Sequence, residues 1–259
     1  MEAEAFVTPV RYADTLHYIG TRNSPSWLLE STDGLILIDT AMPNDLDLLL
    51  KNIALLGHSV KDVRHIIHSH GHIDHIGCTA AIVERSGALT YIGRGDEGSV
   101  SGENSLQWTN EFRMTYEGAF RPDVILSDGD TVTIGNREFH FVATPGHTAG
   151  TLSIFFNVTD GGREWRAGMF GGGGLNSMAI AYLDRYGLPH SLREDFLASI
   201  DKVMDERVEM HLGNHLGDNR HLDKLAALGG GENPFLDGSS WRPFLERRRA
   251  EAIEFFKTN

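Results

Sequence analysis

The sequence predicts an α/β fold in which short strands alternate with amphipathic helices. Gly34 to Asp39 is a nearly continuous apolar run, which is typical of a strand buried on both faces. Asp45 to Leu56 has apolar residues at helical spacing and is followed by Gly57, a common helix stop. Val124 to Ala143 contains short apolar segments separated by tight turns, which favours an antiparallel meander. These segments indicate sheets covered by helices.

Length, charge and the N-terminus limit the possible classes of protein. We expect one domain over 1–259 with a C-terminal helical extension over about 221–259. The chain has 23 basic and 36 acidic residues, and its formal charge of −13 disfavours a nucleic-acid partner. The N-terminus lacks the basic and apolar regions of a signal peptide, and no apolar run approaches the ~18 residues of a membrane helix. We therefore expect a cytoplasmic protein without membrane association.

The first half of the chain contains further strands and one helix beside a polar motif. Strands are expected at Leu16 to Ile19, at Ser26 to Glu30 and at Asp62 to His68. A helix is expected at Ile76 to Arg85, and a strand follows at Ala88 to Ile92. The strand ending at His68 and the helix after it form the first half of a βα unit.

Four aromatic residues recur every four positions between Gly93 and Arg121, namely Trp108, Phe112, Tyr116 and Phe120. This spacing favours the packed face of a helix over a wall of a binding pocket. The wall remains an alternative, because the segment follows the polar motif.

The second half of the chain continues with strands and ends in helices. The expected strands are Leu152 to Phe156, Glu164 to Phe170 and Val208 to Leu212; the expected helices are Ser191 to Asp205 and Trp241 to Phe256. The last helix is amphipathic and would cover the sheet, although such a helix also suits a homo-oligomer.

The polar motif is His68 to Gly77, which contains four histidines and one carboxylate within eight residues. Imidazole and carboxylate are ligands that zinc prefers, whereas a buried core would have to satisfy all five polar side chains. His70 and His72 occupy alternate positions of an extended turn and project to one side, while Asp74 and His75 are displaced to another. The motif therefore predicts two adjacent cations.

The run His70 to His75, together with the loop Thr144 to Gly150, resembles the metal-binding signature of the metallo-β-lactamase superfamily, and its third (B3-type) lactamase subclass most closely. The resemblance spans about residues 10–225. It implies an αββα sandwich of two mixed sheets flanked by helices. It also implies two zinc ions per chain, the first held by His70, His72 and His147 and the second by Asp74, His75 and His215.

The last ligand is expected to be His215 because it follows the end of a strand, whereas His211 lies inside that strand and His221 beyond it. The chain departs from much of the family at Gly171 to Gly174, where many members carry an aspartate that bridges both metals. The third subclass also lacks a protein bridge there. The glycines mark either backbone that approaches substrate or a flexible turn.

Other residues have weaker assignments. In the family a residue like Asp39 supports a metal ligand by hydrogen bonding, although a carboxylate after a strand is also a common turn former. His68 is expected behind the metal ligands. Cys78 is expected to be a small buried hydrophobe rather than a reactive thiol. Possible substrate-binding residues after the glycines are Asn176, Ser177, Tyr182 and Tyr186, although each also suits a surface or packing role.

The ligand set implies a hydrolase that attacks a lactam, lactone, thioester or amide of a small-molecule acyl substrate with metal-bound hydroxide. Asp74 is the expected catalytic residue, because it would orient the nucleophile and pass a proton. Two alternatives remain, an iron-using oxygenase or redox member of the family and a catalytically silent metal-binding module.

Overall fold

Two mixed β-sheets form the centre of the computed structural model, which describes residues 9–259. The first sheet has seven strands in chain order: β1 (Val10–Ala13), β2 (Leu16–Tyr18), β3 (Trp27–Ser31), β4 (Gly34–Ile38), β5 (Val63–Ile67), β6 (Leu89–Gly93) and β7 (Val124–Leu126). The second sheet has five: β8 (Thr131–Ile134), β9 (Arg137–Ala143), β10 (Leu152–Asp160), β11 (Arg163–Met169) and β12 (Met210–His211).

The first sheet changes direction at β4. Strands β1 to β4 pair antiparallel, whereas β4, β5, β6 and β7 pair parallel. In the second sheet β8 to β11 form an antiparallel meander, and β12 adds parallel to β11. The meander predicted for Val124 to Ala143 is thus confirmed for β8 and β9 but wrong for β7, which pairs parallel to β6 in the first sheet. Because parallel strands end at a common edge, the segments after β4 and β5 lie side by side.

Helices cover the outer faces of both sheets. The α-helices are α1 (Leu46–Leu55), α2 (Ile73–Ile76), α3 (Thr79–Ser86), α4 (Glu97–Val100), α5 (Thr109–Phe112), α6 (Ile180–Tyr186), α7 (Leu192–Val203), α8 (His221–Ala226) and α9 (Trp241–Thr258). Across residues 9–259, no helix has both the length and the apolar character needed to cross a membrane.

The alternation of side chains along the strands builds the layers. In β4, Ile36 and Ile38 face the second sheet, whereas Leu35 and Leu37 face α1 and α3. In β10, Phe156 lies in the core between the sheets, whereas its neighbours on the opposite face pack under α7 and α9. The strands thus bury both faces, and the predicted αββα sandwich is confirmed.

Three local predictions differ from the structure. The aromatic segment is not one helical face, because Trp108 and Arg113 adopt φ of 70° and 52° and confine the helix to α5 between them. The predicted helix Ile76 to Arg85 is interrupted, because the Gly77 N–H donates to the Ala41 carbonyl at 2.8 Å instead of continuing α2. The Val208 to Leu212 strand is also shorter than expected, since only β12 pairs with its neighbour.

Candidate metal centre

Loops at one edge of the two sheets bring the metal-ligand candidates together. His70 and His72 lie between β5 and α2, and Asp74 and His75 lie in α2 itself. His147 lies in the loop between β9 and β10, and His215 follows β12. The structure forms the two groups that the sequence proposes, His70 with His72 and His147, and Asp74 with His75 and His215. Within each group, one potential ligand atom per residue lies within 4.8 Å of the others.

His70 and His147 direct nitrogen lone pairs at each other. Nδ1 of His147 lies 2.8 Å from the Gly174 carbonyl, which can only accept, so Nδ1 carries the proton. Nδ1 of His70 lies 3.1 Å from the Ser69 hydroxyl, which donates to the Asp39 carboxylate and therefore accepts from His70. The two Nε2 atoms are left unprotonated and only 3.2 Å apart. Such a pair is repulsive alone and favourable around a cation.

His75 and His215 carry the ring proton at the same position, on Nδ1, which leaves Nε2 with a lone pair. Nδ1 of His75 donates to Asp39 at 2.8 Å, and its Nε2 is buried without a hydrogen-bond partner among the described residues. Nδ1 of His215 donates to the Asn23 carbonyl at 3.1 Å. An Asp74 carboxylate oxygen lies 3.5 Å from Nε2 of His75 and 3.7 Å from Nε2 of His215. A buried lone pair beside a carboxylate therefore fits a divalent cation.

Burial and mutual repulsion set the pKa values of these histidines. Burial, reinforced by the neighbouring imidazoles, lowers the pKa of His70 and His72 well below the ordinary value. Burial also lowers the pKa of His147 to about 4. Burial lowers the pKa of His75 too, but Asp74 and Asp39 outweigh it and raise that pKa overall. The first group thus consists of neutral imidazoles. In the second group the two carboxylates favour positive charge at His75, whereas burial lowers the pKa of His215.

Asp39 lies behind the second group. Its carboxylate is completely buried and accepts hydrogen bonds from the Ser69 N–H at 2.8 Å, from the Ser69 hydroxyl at 2.7 Å and from His75. Its backbone has φ of 59°, which is uncommon outside glycine. Asn214, which the sequence did not single out, donates to the same Ser69 hydroxyl at 3.0 Å. These bonds fix the orientation of His75 and link the loops after β4, β5 and β12.

His68 makes no direct contact with a ligand candidate among the described side chains. Its Nδ1 donates to the Tyr91 carbonyl at 2.9 Å, and its Nε2 lies 2.8 Å from the Thr79 hydroxyl. Thr79 contacts the hydroxyl of Thr40, whose N–H donates to the His75 carbonyl at 2.7 Å. His68 therefore reaches the site through two threonines and the backbone of His75.

The glycine run packs against His147. A Cβ atom on Gly172 would lie 2.6 Å from the His147 ring, and one on Gly174 would lie 2.9 Å from it. Real Cβ atoms essentially never approach so closely. The run is therefore a close approach of backbone to a ligand candidate, which explains why small residues are required there.

Asp96 was missed by sequence reasoning. Its buried carboxylate accepts hydrogen bonds from the Gly71 N–H, the Gly150 N–H and the Thr148 hydroxyl at 2.7–2.9 Å. Burial raises its pKa despite these bonds. Gly71 lies between His70 and His72, and Thr148 follows His147, so one carboxylate joins the two loops of the first group. No local pattern marks a partner so distant in sequence.

The proposed substrate residues lie beside the first group. Ser177 donates to the His147 carbonyl at 2.7 Å, and Asn176 is exposed at the start of the same 3₁₀ turn. The ring of Tyr182 contacts Trp108, whose ring in turn lies beside His72, with centroids 4.7 and 5.2 Å apart. Tyr186 donates its hydroxyl to Glu111 at 2.8 Å. The strained Trp108 therefore belongs to the wall of the site, the alternative that its spacing had disfavoured.

Cys78 is not activated. Its thiol is buried and donates to the Met42 carbonyl at 3.0 Å. Burial raises the pKa of the thiol to about 12, so it stays protonated at neutral pH.

Sequence comparison identifies the family. Residues 19–160, more than half of the chain, match the family model described as the metallo-beta-lactamase superfamily. A hydroxyacylglutathione hydrolase of Anaeromyxobacter dehalogenans is 28% identical over 193 residues, which cover 74% of this chain and 62% of that protein. The chain thus spans less than two thirds of the length of this relative.

Solved structures give the same assignment. BJP-1, a subclass B3 metallo-beta-lactamase of Bradyrhizobium japonicum, superposes with a TM-score of 0.87 at 25% identity, covering 99% of this chain and 97% of that one. The FEZ-1 metallo-beta-lactamase from Legionella gormanii also has a TM-score of 0.87, at 26% identity, covering 96% and 95%. With the fold and the family model in agreement, the chain belongs to the metallo-β-lactamase superfamily and resembles its B3 subclass, as its sequence predicted.

Proposed function

We propose that this chain is a dinuclear zinc hydrolase that attacks the carbonyl of a small acyl substrate. The observation that carries the proposal is the 3.2 Å approach of the Nε2 atoms of His70 and His147, whose Nδ1 atoms already face oxygen acceptors. A buried Nε2 on His75 beside Asp74 supports a second cation next to the first. When bound, the two cations lower the pKa of water at the site and polarise the substrate carbonyl.

The protein's own groups hold and orient this centre. Asp39 and Ser69 fix the imidazoles of His75 and His70, so that Nε2 of His75 faces Asp74 and Nε2 of His70 faces His147. Asp74 is partly exposed, which lets its carboxylate reach substrate as well as the second group, and it accepts the proton released during attack. The strained Trp108 wall and the Ser177 turn border the first group and limit which substrates reach it.

Lactams, lactones, thioesters and amides are the substrate classes proposed. The similarity to a hydroxyacylglutathione hydrolase places hydroxyacylglutathiones in the first panel to test, and the similarity to B3 lactamases adds β-lactams. Elemental analysis of zinc-loaded protein should give two zinc ions per chain. Reproducible dominance of iron in protein made with both metals available would contradict the zinc assignment.

The variant Asp74→Asn tests the chemistry. We expect turnover of the best panel substrate to fall at least about a hundredfold even where metal is retained, because the amide cannot accept a proton. Cys78→Ser is the matched control, since a thiol with a pKa of about 12 takes no part and turnover should persist. Normal turnover by metal-filled Asp74→Asn, or no turnover of any panel member by wild type, would refute the proposal.

A further inference from the structure

A small cavity adjoins the first group of histidines. Its volume is about 70 Å³, and its polar edge includes His72 and His147. Its apolar lining comprises Leu106, Tyr182, Leu188 and Leu192. Since a cavity of about 150 Å³ holds benzene, which has six carbons, a cavity of about 70 Å³ holds about two to four carbon atoms.

The carboxylate and the aliphatic hydroxyl groups on the wall already have partners within the protein. Both oxygens of Asp96 accept hydrogen bonds, and one of these bonds comes from the hydroxyl of Thr148. Ser177 donates to the His147 carbonyl, and Ser99 donates to Asn104 at 3.2 Å. No arginine or lysine lines the cavity among residues 9–259. Away from the imidazoles and the Tyr182 hydroxyl, a charged or hydrogen-bonding ligand would therefore find few free partners, whereas an aliphatic group would bury apolar surface.

A strained tryptophan supports one residue of the cavity lining, Tyr182. Trp108 has φ of 70°, a conformation that is a genuine outlier for a bulky residue. Its ring packs against Tyr182, and Tyr182 packs against Tyr186 with centroids 4.6 Å apart. The Tyr182 ring, which lines the cavity, is therefore held by two aromatic neighbours, and the cavity adjoins the reacting centre at His72 and His147.

We propose that this cavity selects substrates whose carbonyl carries a short, uncharged aliphatic group of about two to four carbons. The inference rests on the proposed function, because it places the reacting carbonyl at the histidines. Each methylene that fits contributes about fourfold to kcat/KM, since burying one is worth about 0.8 kcal/mol. A chain that exceeds the cavity gains nothing further and is excluded by Leu188 and Leu192.

The test is a series of thioesters of one thiol with straight acyl chains from acetyl to octanoyl, assayed with zinc-loaded protein. We expect kcat/KM to rise to butanoyl and to fall at least tenfold by octanoyl. Leu188→Ala should enlarge the cavity and move the optimum to longer chains, whereas Leu188→Phe should fill it and move the optimum to acetyl. Leu55→Ala is the control, because Leu55 is an exposed leucine on α1 outside the cavity.

A binding measurement separates failure of this inference from failure of the proposed function. Unreactive aliphatic amides from acetamide to octanamide are titrated into the same proteins and followed by ligand-observed NMR. The same chain-length optimum, shifted in opposite directions by the two Leu188 variants, supports the cavity even if no thioester is hydrolysed. Hydrolysis without a chain-length optimum, or an optimum that ignores both Leu188 variants, would overturn the inference.

Discussion

Asp96 shows how a single buried carboxylate can organise a centre that it does not enter. It accepts N–H groups from both loops of the first group, those of Gly71 and Gly150. An unpaired backbone N–H in the interior is costly, so removing the carboxylate would let both loops move apart. The carboxylate thus positions His70, His72 and His147 through two backbone N–H groups and the Thr148 hydroxyl.

We therefore expect Asp96→Ala to weaken zinc binding at the first group by about 10- to 100-fold, the usual effect of losing an outer hydrogen-bond partner. The second group should lose less, because Asp96 makes no contact with it. Competition titration with a chromogenic chelator measures both affinities. Asp123→Ala is the matched control, since Asp123 also accepts backbone and hydroxyl bonds but joins β6 to the segment before β7. Equal zinc affinities in wild type and Asp96→Ala would contradict this role.

At the scale of elements, the last helix supports the second group. Arg248 of α9 contacts Asp218 at 2.9 Å, and Asp218 accepts the His215 N–H at 3.1 Å. Asp218 is almost fully buried, so its charge depends on this arginine for compensation.

Arg248→Ala should consequently weaken the second zinc ion about tenfold and leave the first nearly unchanged. Arg249→Ala makes a close control, because the neighbouring arginine pairs with Asp201 at the surface. Zinc stoichiometry after dialysis against graded chelator distinguishes the two sites. A variant that loses both ions together would show that α9 supports the whole fold and not this group.

His211 on β12 makes stability depend on pH. The His211 ring packs between Trp241 and Phe244, and burial there lowers its pKa to about 3. The unfolded chain binds this proton near pH 6.5, whereas the folded protein does not, so stability falls as pH drops from 6.5 towards 3.

His211→Phe should reduce this acid sensitivity. Between pH 6.5 and pH 5 the wild-type histidine accounts for about 2 kcal/mol of lost unfolding free energy, and the variant should lack that part. Urea unfolding of metal-free protein at both pH values provides the measurement. His58→Phe is the control, because the His58 side chain is partly exposed. An unchanged pH dependence in His211→Phe would contradict the assignment.

At the scale of the whole molecule, both sheets contribute loops to one centre. His70 to His75 follow a strand of the first sheet, and His147 and His215 follow strands of the second. Cations held between them would therefore oppose separation of the sheets.

Removing metal should lower the melting temperature. A ligand present at 1,000 times its Kd adds about 4 kcal/mol of stability, which corresponds to about 10 °C for a chain of this size. Calorimetry with and without chelator gives the shift, and added zinc should reverse it. The absence of any shift would argue that the sheets are held together without metal.

The sequence predicted the layers and the grouping of the six ligand candidates, because strand periodicity and clustered histidines are local signals. That these residues bind zinc stays a prediction. The role of Asp96 was not predicted, because its hydrogen-bond partners lie 25 to 54 residues away in the sequence and leave no local pattern. The prediction for Trp108 was wrong because a four-residue spacing of aromatic residues is typical of a helix. The positive φ of Trp108 depends on tertiary packing, which the spacing does not reveal. Periodicity therefore predicted elements better than it predicted the walls of the site.

The glycine run also restricts the evolutionary routes open to this chain. A Cβ on Gly171 would overlap the Leu152 carbonyl, and one on Gly172 or Gly174 would strike the His147 ring. Only Gly173 faces a flexible neighbour, the side chain of Arg248. A lineage starting from this sequence could not acquire the bridging aspartate of its distant relatives by one substitution at Gly171, Gly172 or Gly174, because the histidine loop would first have to retreat. Packing alone thus keeps a bridging side chain out of these three positions.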